Sequence, residues 1–291
     1  MRIKSVVTAI GALALGLMTG LATVSAHAST LDDIRKRGFA RAAIHNEPPY
    51  AFMTPDGTPA GVGPEVVTAV FKRLGIEQID WVVTPFSTLI PGLKAGRWDV
   101  VAAQQSIFPE RCAQVSFANP TSTAAEALLV KAGNPKKLHS YDDIKNDQTA
   151  KVAVPTGSVQ LKYLKAYGIP DDRVVLFSNH ADAPELVLSG RVDAYTIEDA
   201  AADLLLSSGK VKGLEVADPF KVPVVDGKEV ISYAATTFKK EDTDFVTAYD
   251  KELAEFEKTP DFNAIMEKNG LRPISAKRAL AMTAVDRCAG K

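Results

Sequence analysis

Arg111 is the residue best suited to grip a small molecule. It closes the run Ser106-Ile107-Phe108-Pro109-Glu110-Arg111. A planar guanidinium sets two parallel N–H donors on one carboxylate, which a lysine ammonium cannot do. Its alternative partner is the adjacent Glu110, and an exposed ion pair of that kind contributes little. Gly157-Ser158-Val159 stands where an apolar run gives way to a helical pattern. Backbone N–H groups at a helix start favour anions, so this turn suits the far side of the same carboxylate, and simple N-capping by Ser158 is compatible with that role. The rings of Tyr50 and Phe86 are either core packing or walls for a cationic group, worth about 0.5–2 kcal/mol per ring. Glu47 and Glu198 are either solvated acids or partners for an ammonium. Ser106, on its residues alone, is an ordinary strand-end serine. Trp81, Trp98 and Phe52 read as packing. His45 has no evident partner and reads as structural. No Ser-His-Asp set, metal-ligand cluster or phosphate loop is visible in the sequence, so no catalytic group, metal or cofactor is expected.

The ends of the chain bear on compartment. Arg2 and Lys4 precede an apolar run from Val6 to Val24, and Ala26-His27-Ala28 forms a small-x-small cleavage pattern. Residues 1–28 therefore read as a secretory signal peptide, with a membrane anchor as the alternative because a span needs about 20 apolar residues. The mature chain would begin at Ser29, hold 263 residues and carry 32 basic and 35 acidic side chains. That balance suggests neither nucleic acid nor an anionic membrane surface as partner. Both cysteines, Cys112 and Cys288, survive cleavage, and two thiols in an oxidising compartment favour a disulfide. A redox or metal pair is the alternative, but the spacing fits no metal motif.

These residues must be positioned by alternating strands and helices. Ala40 to Ile44, Asp80 to Thr84 and Asp99 to Gln104 read as strands. Between them lie a helix from Pro64 to Leu74, with Val66, Val67, Val70, Phe71 and Leu74 on its apolar face, and a helix from Ser87 to Ala95 with Ser87 as N-cap. The same order restarts at Val152 to Val154, followed by a helix through Tyr167, a strand at Val174 to Phe177, a helix at Ala183 to Leu188 and a strand opening at Asp193. Gly96-Arg97-Trp98-Asp99 and Gly190-Arg191-Val192-Asp193 echo one another at the helix-to-strand joints. Strand–helix alternation repeated in this way predicts two α/β lobes with parallel sheets. The joints are the small polar stretch Pro120 to Ala125 and the turn-rich Pro219 to Gly227. Lobe 1 is expected at 29–122 and 228–291, lobe 2 at 126–222, with hinges near 121–126 and 219–230. Two crossings make a hinged pair with a ligand cleft between.

Four segments resemble the family-3 periplasmic solute-binding proteins of ABC importers. They are Asn46-Glu47-Pro48-Pro49-Tyr50 with Asp56-Gly57 and Gly61, then Phe86 to Leu93, Ser106 to Arg111, and Val192 to Asp199. They occur in register across Leu31 to Lys291. Within that family the likeness is greatest to the ectoine/hydroxyectoine-binding proteins, through Asn46 to Tyr50, Pro109 to Ala113, Asp193-Ala194-Tyr195 and Cys288-Ala289. The resemblance implies a two-lobed Venus-flytrap fold and capture of a small zwitterionic solute by lobe closure. It also implies hand-over to a membrane permease, a periplasmic location and action as a monomer. It assigns Arg111 and Ser106 to the ligand carboxylate, Ser158 and Val159 to its far side, Tyr50 and Phe86 to the walls, and Glu47 and Glu198 to the cationic group, with Asp199 as fallback for Glu198. It also places the cysteine pair where that subgroup has one. Two departures favour an ordinary polar α-amino acid as the alternative ligand. The third aromatic wall of the subgroup falls at Ser106, and Glu198 falls where amino-acid binders place an acid. A further alternative is an enzyme like the cyclohexadienyl dehydratases that share the fold, with Glu198 or Glu47 as general acid.

Overall fold

A computed structural model describes residues 29–271 and 273–290. The predicted signal peptide lies outside the described residues. Eight strands form the spine: β1 (Ala40–Ile44), β2 (Ile79–Val83), β3 (Val100–Ser106), β4 (Ser122–Lys131), β5 (Val152–Pro155), β6 (Val174–Phe177), β7 (Ala194–Glu198) and β8 (Ile231–Lys239). Their spatial order is β2-β1-β3-β8-β4-β7-β5-β6. The three strands at each end are parallel to one another. The middle is antiparallel, with β8 against both β3 and β4, and β4 against β7. Ser122–Ala125 of β4 pairs with β8, while Glu126–Val130 of the same strand pairs with β7. One strand thus serves both ends of the sheet.

The apolar cores separate accordingly. One cluster gathers β1, β3, the Val62–Arg73 helix and the C-terminal Thr243–Phe256 helix, with Phe71, Phe238, Phe245 and Tyr249 fully enclosed. Two others lie on opposite faces of the β4–β7–β5 sheet, one around Leu129, Tyr195 and Val187, the other around Leu128, Tyr141 and Leu164. This is a two-lobed α/β fold whose halves meet at the β4–β8 pair.

Local sequence explains the parts that carry the site. The Val62–Arg73 helix buries Val66, Val67, Val70 and Phe71 on one stripe, as periodicity demands, and leaves Leu74 half-buried at its end. It starts two residues before the predicted Pro64 because Gly63 lets it lie on β3: a Cβ there would sit 2.1 Å from the Ala102 carbonyl oxygen. The first N–H groups then donate to Pro49 O at 3.1 Å and Tyr50 O at 2.8 Å. A helix start has such donors to spare, and here they fix the Tyr50 loop. Ser87 does not cap a helix. Phe86–Thr88 forms a 3₁₀ turn and Leu89–Lys94 the helix proper. Thr88 takes the polar role instead, with Oγ1 donating to Pro85 O at 2.7 Å. Trp98 is core, as expected: its Nε1 donates to Leu89 O at 3.0 Å, and Gly92 leaves room for its ring.

The Gly-Arg-x-Asp echo performs one job twice. Asp99 N donates to Arg41 O at 2.8 Å while Asp99 Oδ2 accepts from Arg41 N at 2.7 Å. Asp193 N donates to Lys151 O at 2.8 Å while Asp193 Oδ2 accepts from Lys151 N at 2.8 Å. In each half an aspartate ties the end of one helix–strand joint to the start of the adjacent parallel strand.

Candidate ligand site in the interlobe cleft

All eight sequence-predicted residues, Glu47, Tyr50, Phe86, Ser106, Arg111, Ser158, Val159 and Glu198, line one cavity between the lobes. Arg111 sits on the one-turn helix Pro109–Cys112, which the Cys112–Cys288 disulfide ties to the C-terminal helix Ala284–Cys288. Arg111 is 5% exposed. It is no surface ion pair with Glu110, whose carboxylate meets Lys162 of the opposite lobe at 2.5 Å. Its Nη1 donates to Ser106 O and its Nη2 to Gly157 O, both at 3.0 Å. The second bond crosses the cleft. Its guanidinium carbon lies 5.1 Å from the Phe86 ring centre and 4.5 Å from that of Phe108. Burial lowers its pKa to about 10, still charged at neutral pH. A guanidinium has five N–H donors, so two bonds to carbonyls leave others for an anion.

The Gly157 turn differs from expectation in two ways. Its carbonyl, not its N–H, faces Arg111. Ser158 does not cap the following helix, which has Val159 at its N-cap position and no side-chain cap; the Ser158 hydroxyl is buried with no partner. Gly157 stands at φ 81°, where a Cβ would press on Ser87 Cα of the other lobe at 3.3 Å.

The acids form a second pole. Gln160 Nε2 donates to Glu198 Oε1 at 2.9 Å and to Glu126 Oε1 at 3.3 Å, and the Tyr141 hydroxyl donates to Glu126 Oε2 at 3.2 Å. Burial pushes Glu126 up to about 8. Burial, then the Glu47 and Glu126 charges, push Glu198 well above the ordinary carboxylate range. Burial also pushes Glu47 up, but His180 and the bond to His45 outweigh it and hold that carboxyl low. The Tyr50 hydroxyl is buried without a partner, and its pKa is raised by burial and by Glu198. Asp199 is not the cavity acid: its Oδ1 accepts from Ala200 N and Ala125 N.

Sequence reasoning missed Glu126, Gln160, His180 and Gln104. Gln104 is held at φ 49° in β3, its Oε1 accepting from Thr121 and Ser122 and its buried Nε2 facing no acceptor. The one available signal was Glu126, a lone acid in an apolar strand. His45 does have a partner, since its Nε2 lies 2.6 Å from Glu47 Oε2.

Two α/β lobes on a two-strand joint, closing a cavity with a buried cation at one pole and carboxyls at the other, define a protein built to enclose a small polar molecule. The profile of the bacterial extracellular solute-binding proteins, family 3, matches residues 41–271, and the chain belongs to that family. It is 40% identical over 269 residues to a probable amino-acid ABC transporter periplasmic-binding protein, y4tE, of Sinorhizobium fredii, covering 91% of this chain and 88% of that one. Among solved structures it resembles EhuB in complex with hydroxyectoine, with a TM-score of 0.83 and 33% identity over 90% of this chain and all of that one. It also resembles the ancestral amino-acid-binding protein AncCDT-1, a precursor of cyclohexadienyl dehydratase, with a TM-score of 0.72 and 28% identity over 83% of this chain and 99% of that one. No helix among the described residues is long and apolar enough to cross a membrane.

Proposed function

We propose that this protein captures a small zwitterionic solute in the interlobe cleft and delivers it to the membrane permease of an ABC importer. The observation that carries the reading is Arg111, buried at one pole of a cavity whose other pole holds Glu198 and Glu47. The ligand carboxylate meets Arg111, with the Ser106 and Ser158 hydroxyls beside it. Tyr50 and Phe86 flank the cationic group, which faces Glu47 and Glu198. Residues 29–122 and 228–291 form one lobe and 126–222 the other, moving about the β4–β8 pair. A ligand that touches both lobes stabilises the closed state by its differential affinity for the two states. The mature protein acts as a periplasmic monomer after removal of residues 1–28, as a binder and not an enzyme.

An ectoine-type solute is the favoured ligand. The hydroxyectoine complex of EhuB supports it, as does the pair of rings, Tyr50 and Phe86, lining the cavity. A polar α-amino acid is the second reading. The bond from Gln160 to Glu198 favours it, because it holds an acid where an α-ammonium would need one.

Calorimetric titration with ectoine, hydroxyectoine and a panel of α-amino acids tests both readings. Arg111→Ala leaves a buried carboxylate unpaired, which costs on the order of 2–5 kcal/mol, so the Kd of the true ligand should rise about 30-fold to several thousand-fold. An unchanged Kd would remove the central contact. Prephenate and arogenate should not be turned over, and any turnover would overturn the assignment as a binder.

A further inference from the structure

Three side chains at the lobe boundary are grouped as metal ligands are. Glu47 stands between two imidazoles, its Oε2 2.6 Å from His45 Nε2 and its Oε1 3.4 Å from His180 Nδ1. One donor atom from each of the three lies within 4.8 Å of the others. Their side chains are 3%, 12% and 12% exposed for His45, Glu47 and His180. His45 and Glu47 follow β1, whereas His180 opens the 3₁₀ turn His180–Asp182 in the other lobe. The sequence reading found no ligand cluster because these residues meet only in the fold.

The donor set is specific in chemistry. Two imidazoles and one carboxylate, with no thiolate, suit zinc and its borderline neighbours better than calcium or magnesium. Donors about 2.0–2.1 Å from a tetrahedral zinc stand about 3.4 Å apart, which is the spacing of the Glu47–His180 pair. The His45–Glu47 spacing is that of a hydrogen bond, whose proton a bound metal would displace. The Tyr195 hydroxyl lies 3.0 Å from the same His180 Nδ1, a bond that a metal at that nitrogen would replace.

We propose that His45, Glu47 and His180 form a zinc-type divalent metal site that bridges the two lobes and favours their closure. It goes beyond solute capture and shares with the cavity lining only Glu47 and His180.

The test uses the mature chain without a histidine tag, stripped of metal with a chelator and titrated with zinc chloride alone near neutral pH. Calorimetry should show saturable binding at a single class of site, and zinc should reduce the radius of gyration seen by small-angle X-ray scattering. His45→Ala and His180→Ala should each weaken zinc binding by at least about tenfold, and the double variant should abolish it. His180→Gln, similar in polarity, supplies the same test should the alanine variant fail to fold. Arg111→Ala touches none of the three donors, so it should keep zinc affinity while losing the solute, which separates failure of this site from failure of the capture reading. Absence of saturable zinc binding in the wild type, or binding that survives in the double variant, overturns the proposal.

Discussion

The two lobes share a scaffold and divide the chemistry. Each is a block of parallel strands in which an aspartate after Gly-Arg-x ties a joint to the neighbouring strand through a reciprocal pair of backbone bonds. Yet the loops above these joints differ. The first lobe carries the fixed cation, Arg111, and the rings Tyr50 and Phe86. The second carries Glu198, Gln160 and His180, with Glu126 at the crossing point of β4. A repeated frame thus holds two unlike halves of one site. Neither half alone surrounds a zwitterion, which is why closure and recognition become one event.

The shared aspartates offer the largest expected contrast. Asp99 is 3% exposed and accepts from Arg37 Nη2 at 2.5 Å and Arg41 Nη2 at 2.8 Å, besides the backbone of Arg41. Asp193 is 28% exposed and its cationic partner is Lys136 at 3.0 Å. The same bond pattern therefore rests on a buried carboxylate held by two half-exposed guanidinium groups in one lobe and on a half-exposed pair in the other. Asp99→Asn leaves two guanidinium groups short of a carboxylate and should cost about 2–4 kcal/mol in urea unfolding. Asp193→Asn keeps an acceptor for Lys151 N and should cost about 1 kcal/mol or less. Equal losses at the two positions would mean that the backbone bonds, and not the charges, set their worth.

The acids of the second lobe give a smaller effect with a definite sign. Glu126 has a pKa raised to about 8 by burial, far above its ordinary value of 4.5. The folded state therefore binds a proton that the unfolded chain gives up, and stability must fall as pH rises from about 4.5 to 8. Glu198 is shifted in the same direction. Burial also raises Asp250 to about 6 and Glu257 to about 7 in the other lobe; Glu126→Gln removes one of these titrations, so the loss of stability over that range should shrink by about 1–3 kcal/mol. A melting-temperature series in closely spaced buffers reads this directly. An unaltered slope would assign the dependence elsewhere.

The comparison also shows what the sequence could and could not convey. Val174–Phe177 and Ala183–Leu188 have the predicted ends because Gly, Pro and Asn punctuate them. The first-lobe contacts were legible because Glu47 to Tyr50 and Ser106 to Arg111 are short, ordered strings. In the second lobe Ser158, Val159 and Glu198 were legible through the family register, whereas Gln160 and His180 were not, since they matter only through what folding sets opposite them. The joint shows a different limit. Pro120 to Ala125 is small and polar in sequence, yet from Ser122 onward it already belongs to β4. Ser122 Oγ donates to Gln104 at 2.9 Å, and Thr123 N donates to Ser275 Oγ at 2.8 Å. Partners distant in sequence satisfy polar groups that otherwise keep such a stretch on the surface.

The smallest effect probes how the unlike halves are held together. Two contacts cross the cleft beside one another: Arg111 to the Gly157 carbonyl, and Glu110 to Lys162. They come from adjacent residues of one short helix but differ in burial. Arg111 is enclosed, whereas the Glu110 and Lys162 side chains are 61% and 46% exposed. Solvent and salt screen the second pair, and holding two long side chains in place costs entropy, so it should contribute about 0–1 kcal/mol to closure. Lys162→Gln should then change the ligand Kd by no more than about fivefold, and raising the salt concentration should shrink even that. The Lys162 ammonium also stands over the Phe108 ring, its Nζ 4.6 Å from the ring centre, and glutamine lacks the charge of that small cation–π contact. If Lys162→Gln weakened binding as much as Arg111→Ala, the exposed latch, and not the buried guanidinium, would govern closure.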